Sequence, residues 1–519
     1  MQDIDHSALQ QAVASVQIEQ KGPGGAIGIV RNGETIVIRT WGHADIKRHK
    51  EVTANTRFPI CSISKQFTCA ILQDIDPDLS RFDHHLESHL PLMENRPSIR
   101  DLCNNQSGLR DYWALTVLHG AHAEGVFARE DAARLFSRMK TTHFAPGTAY
   151  SYSNGNFRVL SDIIENATGR SLADLYRDKI FGPAGMETAE LIPDTAGTED
   201  MIVGYEGNDA VGFFPTINRI LWTGDAGIFA SLEDMLAWEK FIDASRNDEN
   251  GLYRRLAEPQ TFADGHDAPY GNGLSHGTIG AIKTTGHGGA LRGFRLHRLY
   301  APSERLSVVV LFNHEGDAGG TATRLMKAAL GIPADEPAAP VTDTSWDGAY
   351  IDRESGLLLK LATGENGLSA TIAGSSELLS MKSADVAESQ TMVLSREGDT
   401  IRFTRWRENL SGAAVRVTGT ARPDIAGRYH CEELEADFTI VETGGVLHGF
   451  FEGVLGTGEM TPLYPVGEDI WTLPCRRSMD APAPGDWTIQ IHRDGDGAIE
   501  GLTIGCWLAR NLRYRRTDV

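Results

Sequence analysis

The sequence predicts a mixed α/β (α+β) first block, an antiparallel sheet with helices on its faces, followed by two all-β modules. Three observations carry this. β-rich runs stand at both ends of residues 1–330 and helical patterns fill the middle, so the strands frame a helical insert. Residues 331–345, GIPADEPAAPVTDTS, hold three prolines among small and acidic residues. Such a stretch cannot build a core and reads as a linker. The rest reads mostly as strands with a weak internal repeat. GAYIDRESGLLLKL from Gly348 and GRYHCEELEADFTI from Gly427 share a glycine, a tyrosine two residues on, and alternating apolar positions. The two β modules are placed at 346–417 and 418–519.

Each element has a local reason. Residues 1–20 read as an amphipathic helix, with Leu9, Val13 and Val16 at helical spacing. The segment lacks the basic start and apolar run of a signal peptide. GAIGIV (25–30) and TIVIRTW (35–41) form a hairpin across Asn32-Gly33, the pair that type I′ turns prefer. Residues 60–75 read as a helix with Ile60, Ile63, Phe67, Ala70 and Ile71 on one face. Helices are also expected at 155–168 and 231–243. GFRLHRLY (293–300) and LSVVVLFNH (306–314) return as strands, and a helix at 320–330 closes the block.

Composition narrows the function classes. The formal net charge is −21, from 70 acidic against 49 basic residues. Nucleic-acid binding needs a basic footprint and anionic lipid needs basic clusters, so both are disfavoured, while a cationic substrate is not. No apolar run approaches a membrane span. The six cysteines are scattered without a CxxC pair, which points to reduced thiols and a cytoplasmic protein. His84, His85 and His89 come without a carboxylate pair or an HExxH motif and read as a solvated helix face. Asp494-Gly495-Asp496-Gly497 with Glu500 lacks calcium-loop spacing and reads as a hairpin turn. No metal or organic cofactor is implied.

The chemistry gathers in three short motifs. Ser62-Ile63-Ser64-Lys65 opens the predicted helix, and three-residue spacing puts serine and lysine on one face. Serine needs a base to take its proton, and a lysine serves if burial lowers its pKa. The neighbours Phe58, Ile60, Ile63 and Phe67 provide that burial, and the helix start offers N–H groups to an oxyanion. SxxK occurs by chance roughly twice in a chain this long. A second copy, Ser137 to Lys140, reads as a solvated face. Tyr152-Ser153-Asn154 offers a phenol to relay a proton and an amide to orient a substrate carbonyl. Its spacing recurs at Tyr270-Gly271-Asn272, which reads as chance. Thr285-Gly286-His287-Gly288-Gly289 offers a small-residue strand edge where Ala290 supplies a second oxyanion N–H. His314-Glu315-Gly316 reads as a strand end.

In this order and separation, SISK, YSN and HGG resemble the serine β-lactamase and penicillin-binding-protein family. CSISKQFT, NNQSGLRDY, FAPGTAYSYSN, GDAGIFAS and TGHGGALRGF all match its landmarks. The resemblance implies a β-lactamase-like catalytic domain over 1–330, with the serine between a sheet and a helical cluster. Where many members carry K-T-G, this chain carries His287-Gly288-Gly289. In penicillin-recognising members the cation there meets a substrate carboxylate, so the change puts carboxypeptidase and strong β-lactamase activity in doubt. Lys283-Thr284-Thr285-Gly286 is an alternative register. No deacylating glutamate motif stands out.

The β modules and CRRSMDAPAPGDW (475–487) extend the resemblance over the whole chain, to the D-aminopeptidase branch. That closer resemblance implies two antiparallel eight-stranded barrels, a homodimer, and a loop of the last module that enters the catalytic cleft. The matching loop comprises Arg476, Arg477, Ser478, Met479, Asp480, Ala481, Pro482, Ala483, Pro484, Gly485 and Asp486, after Cys475. Asp480 at its tip is expected to pair with a substrate ammonium. The other reading is a polar hairpin tip in which Arg476 and Arg477 neutralise it. The implied function is a serine aminopeptidase for N-terminal D-residues such as D-alanine. Ser62 is the nucleophile, Lys65 the base and Tyr152 the proton donor, with His287 orienting the amine or carbonyl or assisting the relay. Asn154, Ala290 and Asp480 bind substrate. The implied partners are small peptides or amino-acid amides with a free amine, and β-lactams as inhibitors. A β-lactamase-like esterase and a non-hydrolysing penicillin binder use the same motifs and remain the alternatives.

Overall fold

A computed structural model describes residues 6–198, 200–334 and 338–517. Residues 1–5 of the first predicted helix, 335–337 of the linker, 199, and 518–519 lie outside the described residues.

Helix α1 (His6–Glu19) lays Leu9, Val13 and Val16 against a sheet. Strands β1 (Gly24–Arg31) and β2 (Glu34–Asp45) form the expected hairpin. Asn32 and Gly33 both take positive φ, +54° and +81°, as a type I′ turn requires. The 60–75 segment splits into a 3₁₀ turn, Cys61–Ser64, and helix α2 (Lys65–Ile75). Helices α3 (Asn154–Thr168) and α4 (Leu232–Ser245) stand where periodicity places them. Strands β3 (Tyr270–Gly271), β4 (Leu274–Ile279), β5 (Ile282–Leu291), β6 (Phe294–Ala301) and β7 (Leu306–Phe312) follow, then helix α5 (Ala318–Leu330). The sheet order is β3-β4-β5-β6-β7-β1-β2, with Lys50–Glu51 at the edge, and its pairs are antiparallel.

Both faces of the sheet are covered. Ile27, Ile29, Val308, Val310 and Phe312 pack with the apolar stripes of α1 and α5. Ala26, Val30, Val309 and Leu311 point the other way, into the core that holds α2 and α4. Coverage on both sides explains why Val308–Phe312 of β7 reads as an unbroken apolar run. One charged pair is buried within the block. Arg298 on β6 binds Glu239 on α4 through two contacts of 2.6 and 2.9 Å, and the Ser307 hydroxyl donates to the same carboxylate at 2.7 Å. Both charged side chains have zero exposure. Arg298 is the register partner of His287, so the pair fixes α4 against β6, the neighbour of the strand that carries the HGG motif.

The first β module is a closed barrel of eight strands, with Gly348–Asp352 paired to Leu410–Arg416. The second is a ten-stranded sheet that curls without closing. Residues 461–467 cross between its two ends, Thr461–Pro462 pairing with Val446–Gly453 and Tyr464–Gly467 pairing with Ile470–Leu473. Pro462 and Pro465 lie in that crossing and lack the N–H a ladder needs. The expected second barrel is therefore a half-barrel. The internal repeat is structural. The Tyr350 and Tyr429 hydroxyls each donate to the carbonyl four residues upstream, Trp346 at 3.1 Å and Ile425 at 2.7 Å. Arg416 and Arg516, from the closing strands, lie over the two rings at 4.7 and 6.0 Å. The six cysteines are unpaired. Among the described residues no helix is long and apolar enough to cross a membrane.

Glu239→Ala strands the Arg298 charge in the core and should cost about 3–5 kcal/mol. Lys21→Ala, at the exposed Lys21–Asp209 pair, should cost less than about 1 kcal/mol. Denaturant unfolding of the two variants measures the contrast, and equal costs would refute the role given to the buried pair.

Candidate active site

The nucleophile turn is set by a close approach. Gly289 on β5 lies so near that an added Cβ would come 2.5 Å from the Ile60 carbonyl oxygen and 3.2 Å from Cys61 Cβ. Only glycine lets the strand meet the turn there. Cys61 itself has φ +51°, a sparsely populated region for a residue with a side chain. Burial pushes its thiol pKa far up, so it packs and does not react.

Lys65 has no solvent exposure. Its Nζ lies 3.0 Å from Ser62 Oγ, 2.9 Å from Asn154 Oδ1 and 2.7 Å from the Asp225 carbonyl oxygen. Burial lowers its pKa to about 8, against the opposing pull of the Asp225 and Asp111 carboxylates. A neutral amine has two hydrogens and one lone pair. Two of the three neighbours can only accept, so they take both hydrogens. The lone pair then faces the Ser62 hydroxyl, which donates to it.

Asn154 heads α3 and ties that amine to Asp111. Its backbone N–H donates to Asp111 Oδ1 at 2.7 Å and its side-chain amide to Oδ2 at 3.4 Å. Burial raises the Asp111 pKa to about 7. Asp225 accepts from the Tyr112 hydroxyl at 2.7 Å. The NNQSG segment is the scaffold of the YSN motif. Asn105, with φ +54°, accepts from the backbone N–H groups of Ser151 and Ser153 and from the Asn156 amide. That grip presents Tyr152 to the cleft. Burial pushes the Tyr152 phenol pKa well above its usual value, with a hydrogen bond to Ser62 pulling the other way. Lys65 Nζ is 5.0 Å from its ring centre. The phenol therefore keeps its proton at neutral pH.

His287 departs from the role expected of it. Burial lowers its pKa to about 3, with the Lys65 charge adding to the effect, so the ring is neutral. Nδ1 lies 2.6 Å from its acceptor, the Gly288 carbonyl, so it carries the hydrogen. Nε2 is then a bare acceptor, 3.0 Å from the Tyr270 hydroxyl, which donates to it. Both ring nitrogens are occupied. Tyr270 lines the cleft beside His287. The Tyr270 ring stands edge-on to Tyr152, with centres 6.2 Å apart. Tyr270 belongs to the copy of YxN read as chance, and the structure brings it into the site. The other repeats stay outside: Ser137 donates to the Arg134 carbonyl and Lys140 to the Glu432 carbonyl, both at the surface. Lys283 is exposed and lines a separate cavity, so the alternative K-T-G register supplies no cation to the cleft. His314 is buried just past the end of β7, while Glu315 and Gly316 reach the cleft rim.

The cleft holds about 1230 Å³, and Ser62, Tyr152, Asn154, His287 and Ala290 line it. Beyond Gly286, β5 has no partner on its β4 side, so the edge carrying Ala290 is open. Trp406 and Arg407 of the barrel and Ala481, Pro482 and Ala483 of the half-barrel complete the wall. Loop 475–486 folds as a small hairpin, Arg477–Ser478 on Ala481–Pro482, with Met479 at φ +54° in its turn. The Ser478 hydroxyl donates to the Trp113 carbonyl, and the Asp480 carbonyl accepts from the Arg292 N–H at 2.9 Å. Gly485, against the Ala373 carbonyl, and Asp486, accepting from the Cys475 N–H, close its base. Pro484 is buried there.

The Asp480 side chain is not on the cleft wall. It is fully covered, one residue behind Ala481, and burial raises its pKa to about 6. Oδ2 accepts from the Arg219 N–H at 2.9 Å, while Oδ1 has no hydrogen-bond partner. Its nearest cation is Arg292 at 3.9 Å. Arg476 is exposed, and Arg477 pairs with Glu206 and Glu124, so neither arginine neutralises it as the polar-tip reading supposed. Asp111, Asp225 and Tyr270 are the residues that motif reading passed over. Asp111 lay in plain view within NNQSGLRDY and Asp225 within GDAGIFAS, but neither carries a spacing rule.

Comparison with known proteins agrees with this geometry. Residues 8–331 match the family model described as beta-lactamase, and 340–515 match "D-aminopeptidase, domain B". A D-aminopeptidase of Brucella canis is 53% identical over 518 residues, spanning 99% of this chain and 100% of its own. A D-aminopeptidase of Brucella anthropi is 52% identical, spanning 99% of each chain. Among solved structures, the octameric penicillin-binding protein homologue of Pyrococcus abyssi superposes with a TM-score of 0.53 at 18% identity, covering 79% of this chain and 100% of its own. The D-amino acid amidase of Ochrobactrum anthropi SV3, complexed with D-phenylalanine, superposes with a TM-score of 0.52 at 18% identity, covering 63% and 98%. These two likenesses show the fold. The full-length identity shows more: the chain belongs to the D-aminopeptidase family, serine hydrolases built on a β-lactamase-like domain.

Proposed function

We propose that this chain is a serine aminopeptidase that releases N-terminal D-residues, D-alanine foremost, from small peptides, amides and esters with a free α-amine. The observation that carries the reading is the buried Lys65 amine, whose lone pair is aimed at Ser62 by two fixed acceptors. Ser62 Oγ attacks the scissile carbonyl carbon as its proton passes to Lys65 Nζ. The oxyanion rests on the backbone N–H groups of Ser62 and Ala290. Tyr152 gives its proton to the leaving nitrogen, the C–N bond breaks, and Lys65 returns a proton to the phenol. Water then hydrolyses the ester on Ser62. Asn154 orients the substrate carbonyl. His287 acts through Tyr270, whose hydroxyl it holds so that only lone pairs face the substrate. The ammonium is taken by the loop, where Asp480 Oδ1 lacks a hydrogen-bond partner and has Arg292 no nearer than 3.9 Å. β-Lactams would acylate the same serine.

Ser62→Ala should lower kcat on D-alanine p-nitroanilide by roughly 10⁴-fold or more. Residual turnover near the wild-type rate would end the acyl-enzyme reading. The base must be neutral, so kcat/KM should rise with pH through about 8. Asp225→Asn removes the carboxylate that favours the lysine cation, so it should move that rise to lower pH. A rise that stays put or moves up would contradict the assignment. Asp480→Asn should raise KM for the free-amine substrate about 10- to 100-fold. In the wild type, affinity for that substrate should fall as pH drops through about 6 and the carboxyl takes a proton. A KM indifferent to both changes would remove Asp480 from the binding site.

A further inference from the structure

The cleft contains a cation that the mechanism does not use. Arg407 lies in the barrel hairpin between Thr400–Arg405 and Leu410–Arg416. Catalytic-domain contacts pin the turn beside it. The Tyr150 N–H donates to the Glu408 carbonyl at 3.1 Å, and the Asn409 amide donates to the Thr148 carbonyl at 3.0 Å and to Asp264 at 2.8 Å. The Arg407 guanidinium carbon sits 5.5 Å from the Tyr150 ring centre. Among the described residues two arginines line the cleft, Arg295 and Arg407. Arg295 is neutralised by Glu315 at 3.0 Å. Arg407 has no carboxylate within ion-pair distance among the described residues, and the adjacent Glu408 is held by Arg405 at 2.9 and 3.1 Å.

Position gives this charge its meaning. Arg407 lies over Tyr150, whose ring centre is 5.5 Å from that of Tyr270, the partner of His287 at the β4 end of the open β5 edge. Asp480 meets the chain at Arg292, just past the other end of that strand. The two β modules thus bring opposite charges to opposite ends of one strand edge, with Ser62 between them. A neutral His287 leaves the edge itself without a cation. We infer that Arg407 binds the C-terminal carboxylate of the leaving group, so that the cleft is matched to short zwitterionic peptides: a D-residue with a free ammonium at one end and a free carboxylate one or two residues away. A guanidinium offers two parallel N–H donors to a carboxylate, and one face of this one is already dried by the Tyr150 ring.

This inference rests on the aminopeptidase reading above, and the test separates the two. The measurement is the kcat/KM ratio of D-alanylglycine to D-alanylglycine amide, which differ only in the terminal charge, for wild type, Arg407→Gln and Arg407→Lys. Because both rates come from one preparation, the ratio is unaffected by the fraction folded. The wild-type ratio should exceed one. Arg407→Gln should cut it by about 10- to 100-fold, mostly through KM, and Arg407→Lys should restore part of it. A ratio unchanged in Arg407→Gln would overturn the inference while leaving the aminopeptidase intact. Wild-type protein that cleaves neither substrate would overturn the aminopeptidase reading and the inference with it.

Discussion

The catalytic block is arranged around the desolvation of one amine. Lys65 is buried deeply enough to lose its proton near pH 8, and that alone would leave a lone pair free to point anywhere. The Asn154 amide and the Asp225 carbonyl remove that freedom by taking its two hydrogens. The pairing is tuned from further out. Asp225 and Asp111 place anionic charge close enough to keep the lysine from becoming too weak a base. Tyr112 holds one of these carboxyls and Asn154 the other. The nucleophile's reactivity is thus spread over residues from four separate stretches of chain.

The same block shows how a cleft changes the charge it accepts without a change of fold. Relatives that recognise penicillins present a cation on the strand beside the serine. Here that position is an imidazole held neutral, with one nitrogen on a backbone carbonyl and the other on Tyr270. On the reading proposed above, charge recognition falls to the β modules. These reach the cleft from two sides, through a barrel hairpin and through a loop fastened at Trp113, Arg219 and Arg292.

Much of this was legible in the sequence because the signals are local. Asn32-Gly33 predicts a turn that nearly any fold would honour, and β7 announces its burial by the apolar run Val308–Phe312. SISK, YSN and HGG are short motifs whose spacing reflects a shared geometry. What escaped reading is long-range. Tyr270 and Tyr152 share a three-residue pattern with chance, and only the sheet's register shows that Tyr270 faces His287. Asp480 reads as a loop tip and is one, but whether a tip carboxylate points into water or into protein depends on Arg219 and Arg292, hundreds of residues earlier. The family resemblance implies that the second module also closes into a barrel. Prolines at 462 and 465 and the inserted loop leave it open.

The distribution of the cleft along the chain also orders events during synthesis. Ser62, Lys65, Tyr152 and His287 all precede the linker, whereas the barrel hairpin and the half-barrel loop leave the ribosome afterwards. Domains fold largely as units, the N-terminal one first. The nascent chain therefore holds a complete set of reactive groups in an unroofed groove before the walls that discriminate among substrates exist. Selectivity is the last property this polypeptide acquires.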